Sequence, residues 1–143
     1  MKRLTVAALC LAALLTSCRD KQLDVRRTLL ASTWNTLVER RVSLEQACSL
    51  SIREETEKLQ AREPDWRRFY TEGLDQALTR CSGDLSLLDG QLMGMKIEFD
   101  AIDQVQSPPD PDPRRKVTFG EPASWSEAST LLDGLRAALK ARD

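Results

Sequence analysis

The residue types that most often carry chemistry are sparse in this chain of 143 residues. It has no histidine, and histidine is the commonest general base and metal ligand near neutral pH. The four cysteines, Cys10, Cys18, Cys48 and Cys81, are too far apart for a Cys-x-x-Cys motif. Two lone thiols without histidine also make a poor zinc site. No carboxylate pair, serine constellation or phosphate loop stands out, and Glu54, Glu55 and Glu57 read as a solvated face. No catalytic residue, metal or cofactor is therefore expected. The chemistry left to the cysteines is covalent attachment and disulfide formation, and which of these each thiol meets depends on where the chain is held.

The first eighteen residues bear on that question. Lys2 and Arg3 form a positive n-region, Leu4 to Leu15 an apolar stretch of twelve residues, and charged residues begin at Arg19. Twelve is too short to span a bilayer, which needs about 20, so the stretch reads as a signal h-region. Its end, Leu15-Thr16-Ser17-Cys18, resembles the lipobox of bacterial lipoproteins. The resemblance implies export, removal of a signal peptide 1–17, a diacylglycerol on Cys18 and often an acylated amine. Two or more chains give stable anchoring at about 0.8 kcal/mol per buried methylene. It also implies a cell-envelope location, with the outer membrane favoured, facing the periplasm, because Arg19 and not Asp follows the cysteine. Resemblance extends no further than Cys18, and residues 19–143 suggest no family.

Cys10 would leave with the signal and Cys18 would take lipid. Cys48 and Cys81 would then lie where disulfides form and persist, and a Cys48–Cys81 bond is the economical expectation. Two buried free thiols on apolar faces are the alternative. The mature part, 18–143, loses Lys2 and Arg3 and keeps 19 basic against 22 acidic residues, a net charge of −3. Both signs are interspersed, which suits a solvated surface and not nucleic acid.

The elements that must position these residues follow from spacing. From Lys21 to Arg62 there is neither Pro nor Gly. Leu30, Trp34, Leu37, Arg41, Leu44, Cys48, Ile52, Glu55 and Leu59 recur at alternating steps of four and three, a helical packing stripe. One long helix is preferred, although Ser43 with Gln46 allows a new cap after a break near Arg41. Glu63-Pro64-Asp65 stops the pattern, and Asp65 can cap a second helix. That helix carries Tyr70, Leu74, Ala77, Cys81, Leu85, Leu88, Leu92, Met95, Phe99 and Ile102 at the same spacing. Gly73, Gly83, Gly90 and Gly94 each cost about 1 kcal/mol in a helix interior, and Ser82-Gly83-Asp84 allows a break. Residues 106–113 contain four prolines and read as a stiff, extended linker, within a connection 106–123. Val117-Thr118-Phe119 is too short to read as a sheet. Ser124 or Ser126 can cap a last helix, about 124–141, with Glu127 in its first turn and Leu131, Leu132, Leu135, Ala138 and Leu139 on one face.

Folding the chain back at Pro64-Asp65 places Cys48 opposite Cys81, each sixteen residues from the turn, or about 24 Å. The same register pairs Leu59 with Tyr70, Ile52 with Ala77, Leu44 with Leu85, Leu37 with Leu92, Trp34 with Met95 and Leu30 with Phe99. Arg41 would meet Leu88, its stem on apolar surface and its head in water. The turn and the cysteine symmetry are independent signals that agree. The expected fold is all-α: an antiparallel hairpin, about 21–105, stapled by a disulfide, with a third helix completing a small bundle.

Trp66, Arg67, Arg68, Phe69 and Tyr70 fall at the hairpin tip. Lys21 to Arg62 would extend about 60 Å if helical, which would hold the tip far from the lipid. Aromatic residues and Arg are the types enriched in interface hot spots, so the five form a candidate partner-binding cluster; a packing cap on the hairpin end is the alternative. Arg114 to Lys116 suit either anionic headgroups or a solvated run, and Gly90 with Gly94 a packing or helix-break role. The expected function is a membrane-tethered cell-envelope lipoprotein acting as a non-enzymatic scaffold or interaction module. Its partners would be the membrane, through lipid on Cys18, and an envelope protein, not nucleic acid. A small periplasmic inhibitor or exclusion factor is the alternative.

Overall fold

A computed structural model describes the backbone of residues 2–60 and 67–142, and the side chains of residues 20–60 and 67–142. Three helices make up the order: α1 (Lys2–Gln60), α2 (Arg67–Asp103) and α3 (Ala123–Lys140), with no strand among the described residues. The expected turn at Pro64-Asp65 lies outside the described residues. So do the side chains of the expected signal peptide and of Cys18.

The helices are more continuous than the local signals required. α1 passes Arg41 and Ser43 without a break, and α2 passes Ser82-Gly83-Asp84. Neither optional cap is used, because a break would give up packing on the opposite helix. No described residue on either stripe is fully exposed, and the cysteine register holds: Cys48 and Cys81 are disulfide-bonded with Cα atoms 5.8 Å apart.

The chain forms two compact units, the first from Met1–Thr36 with Leu92–Lys116, the second from Leu37–Gln91 with Val117–Asp143. In the first, Ala31, Trp34, Leu92, Phe99 and Ile102 are buried. Trp34 meets Phe99 edge-on, ring centroids 6.1 Å apart, where the register paired it with Met95. The offset of one turn has a simple cause. Side chains lean toward the N-terminus of their own helix, so Trp34 covers the level of Leu30, which faces Phe99.

Residues 106–116 are extended but are not a free spacer. The Trp34 Nε1–H donates to the Arg115 carbonyl (2.8 Å), and Asn35 bridges the Pro113 carbonyl (3.0 Å) and the Arg115 N–H (2.8 Å). Arg27, only 6% exposed, donates to Asp103 (2.9 Å) and to the carbonyls of Gln106 (2.7 Å) and Ser107 (3.3 Å). Proline lacks an N–H but keeps its carbonyl, so a proline-rich strand is well suited to be held by side-chain donors.

The core of the second unit gathers Cys48, Ile52, Leu59, Leu74, Leu78, Cys81 and Leu85 from the hairpin with Trp125, Ala128 and Leu132 from α3. Trp125 is fully buried and its Nε1–H donates to Ser49 Oγ at 2.9 Å. That anchor sets the rotation of α3. Its inward row is Trp125, Ala128, Leu132 and Leu135, while Ala138, expected on that face, is exposed. α3 begins at Ala123 behind Pro122 with no side-chain cap, so neither Ser124 nor Ser126 caps it. Proline supplies the entry instead through its preset φ.

Candidate partner-binding surface

The fold uses several of its polar groups to hold backbone in place. Arg41 is consumed. It is 3% exposed, so its head does not reach water as the register suggested. Its Nε donates to Asp89 Oδ1 (2.6 Å), Nη1 to Glu45 (2.9 Å) and Nη2 to the Gly120 carbonyl (2.8 Å). Gly120 N–H in turn donates to Asp89 Oδ2 at 2.9 Å. The Arg41–Asp89 pair thus clamps both backbone groups of Gly120, whose φ of +96° suits glycine. The bond to Asp89 holds the guanidinium pKa above its ordinary value, against the opposing effect of burial.

Arg114 is consumed in the same way in the first unit, where a solvated or lipid-facing run was expected. It stacks on Phe99 at 4.4 Å and bonds Asp112 bidentately, with Nη2 2.7 Å from Oδ2. That bond lowers the Asp112 pKa and raises that of Arg114. Glycines 90 and 94 neither break α2 nor pack against anything within the chain: a Cβ at either would meet no atom within 4 Å.

Two surfaces among the described residues of the second unit bear on partner binding. One is a groove of about 700 Å³ between α1 and α3. Its floor is the buried pair Ile52 and Ala128. Leu50, 49% exposed, and Leu131 stand on its walls, and Gln46, Arg53, Thr56, Gln60, Ser124 and Glu127 line the rest. An apolar floor within a mostly neutral hydrogen-bonding rim can hold an amphipathic segment. The groove was not legible in the sequence, because it exists only once Trp125 has docked α3. The stripe Trp125, Ala128, Leu132 and Leu135, at steps of three and four, was the signal that could have located it.

The other surface is the start of α2. The expected cluster divides there. Tyr70 packs on the core and Arg67 is half-buried, while Arg68 is exposed and Phe69 is 73% exposed. Trp66 lies outside the described residues, as does the side chain of Cys18. Among the described residues, no group of three His, Cys, Asp or Glu is placed to hold a metal ion. No helix searched is long and apolar enough to cross a membrane. Compared with known protein families, with characterised proteins and with solved structures, the chain matches none.

Proposed function

We propose that this chain is a membrane-tethered cell-envelope lipoprotein that acts as a non-enzymatic interaction module, anchored through Cys18 and recruiting a protein partner with its second unit. The observation that carries the address is Leu15-Thr16-Ser17-Cys18 behind a short apolar stretch and two basic residues. The interaction reading is supported by how the charges are used. Arg27 and Arg41, the buried cations among the described residues, are spent on holding backbone in place. The groove offers an apolar floor on which a partner can sit, and at the start of α2 Phe69 is 73% exposed. The alternative of an inhibitor or exclusion factor draws on the same end, where an exposed aromatic beside Arg68 suits insertion into one partner's pocket.

Cys18→Ser tests the anchor: the variant should lose acylation and fractionate apart from membranes. Unchanged fractionation, with no lipid found on the native chain by mass analysis, sinks the address. Trp66→Ala with Arg67→Ala, and separately Phe69→Ala, test the tip. Loss of function with helix content retained supports a partner site there. Unfolding, with no partner lost, makes the cluster a packing cap and moves the search to the groove.

A further inference from the structure

We propose that the groove between α1 and α3 is a self-docking surface, closed by the same groove of a second copy of this chain about a two-fold axis that runs along it. The inference names the partner of that groove. It rests on reading the groove as a partner surface, and stands whether or not Cys18 is acylated.

Every residue involved belongs to the second unit. α1 and α3 form the two walls of the groove and run in the same direction. Trp125, near the start of α3, bonds Ser49, and Arg136, eleven residues on, bonds Asp75 at 2.8 Å. Asp75 lies nearer the start of α2 than Cys81, the residue level with Cys48, so α3 advances beside α1 from Ser49 onward. The walls differ in charge. Arg53 stands on the α1 wall and Glu127 on the α3 wall, and these two are the charged residues among the described ones that line the groove. They do not bond each other. Glu127 is exposed and holds no ion-pair partner among the described residues. Arg53 has a loose contact with Glu57 at 3.6 Å, both side chains being about two-thirds exposed, so it is free to turn to a better partner. The apolar floor of Ile52 and Ala128 therefore lies beneath two unlike charges that the chain leaves apart.

A two-fold axis along the groove brings them together. It sets α1 of each copy against α3 of the other, so that four helices surround the shared groove. The axis is parallel to the helices, and each residue keeps its height. Arg53 is four residues beyond Ser49 and Glu127 two beyond Trp125, a difference in height of about 3 Å, within reach of an arginine side chain. Arg53 therefore meets Glu127 of the second copy, and Glu127 meets Arg53 of the second copy, in one operation, as an isologous contact requires. Like charges stay apart: Asp133, at the height of Glu57, is turned to the far side of α3, where it lies 3.8 Å from Arg136. Leu50, half-exposed, and Leu131, half-buried, then close over the floor from both copies. From Gln46 to Gln60 α1 rises about 21 Å, and two adjacent helices present a face about 20 Å wide. That area, about 400 Å², is half of the roughly 800 Å² per partner of a stable interface. The association is therefore weak and reversible.

Sedimentation of the purified full-length chain, with and without mild detergent, tests this. The expected result is a monomer–dimer equilibrium whose dimer fraction rises between about 10 and 500 µM. Leu131→Glu should abolish it with helix content unchanged. Arg53→Glu and Glu127→Arg, each alone, should weaken it about tenfold, because two attractive pairs become two repulsive ones. Mixed one to one, these two variants should recover dimer to near the wild-type level, since both opposed pairs again join unlike charges; that recovery also shows that each variant is folded. A chain that stays monomeric over the whole range overturns the proposal, as does association indifferent to Leu131→Glu. Two weakened variants that do not recover on mixing overturn it as well. A monomeric chain that loses function with Leu131→Glu keeps the groove as a surface for another protein and overturns self-docking alone.

Discussion

Replacing Arg41 by Met is the perturbation whose cost the structure allows to be worked out. Arg41 makes hydrogen bonds to Asp89, Glu45 and the Gly120 carbonyl from a site 3% exposed. Met keeps the stem and its packing, so the loss is confined to the charged head. Asp89, with its side chain 16% exposed, would be left with the Gly120 N–H as its one bond of this cluster. Removing one partner of a buried ion pair costs about 3–5 kcal/mol. Water can reach part of Asp89, so the lower end, about 3 kcal/mol, is expected. Arg41→Lys should cost less, about 1–2 kcal/mol, since one ammonium can satisfy Asp89 but not the whole fork. Urea unfolding of the oxidised protein followed by circular dichroism gives the magnitude. Hydrogen exchange at Gly120 gives the locality, because its amide should lose protection before the hairpin does. A loss under about 1 kcal/mol for Arg41→Met would mean that water already solvates the pair, and the clamp would not be what holds residues 117–122.

Other consequences are as direct. Cys48→Ser with Cys81→Ser should cost about 3–4 kcal/mol for a closed loop of 33 residues, and thiol titration of the native protein should find these two cysteines reactive only after reduction. Gly94→Ala should raise the stability of the dilute, monomeric chain by up to about 1 kcal/mol, since its Cβ meets open space. Gly120→Ala, at φ +96°, should lower stability by about 1–2 kcal/mol; thermal melts of the two variants should shift in opposite directions. The Asp112 pKa is lowered from 3.8 by the Arg114 bond. Its contribution is thus present above about pH 4 and is lost as the pH falls through the lower folded value. Melting temperatures of wild type and Asp112→Asn should differ slightly near neutrality and converge in strong acid.

Much of the hairpin was legible in the sequence because it depends on intervals that a helix repeats. Steps of three and four put Trp34, Cys48, Ile52 and Leu59 on one face of α1, and Leu74, Cys81, Leu85, Leu92 and Phe99 on one face of α2. The stop at Pro64 and the symmetric cysteines then set the register, with no knowledge of distant contacts. The disulfide, the all-helical class and the three helices all follow from that local arithmetic.

What only the tertiary structure decided are the places where one segment meets another far away in the chain. Arg41 has sequence neighbours that leave its head a route to water. It is buried because Asp89 and Gly120 arrive from 48 and 79 residues away. Composition alone makes the proline-rich segment a spacer, yet it is pinned because its carbonyls find Arg27, Trp34 and Asn35. α3 was placed on the right stripe but rotated by Trp125, whose ring and N–H fit one site on the hairpin. In each case a side-chain donor satisfies a distant acceptor, and periodicity carries no information about which acceptor that will be, since a hydrogen bond depends on position in space and not on spacing along the chain.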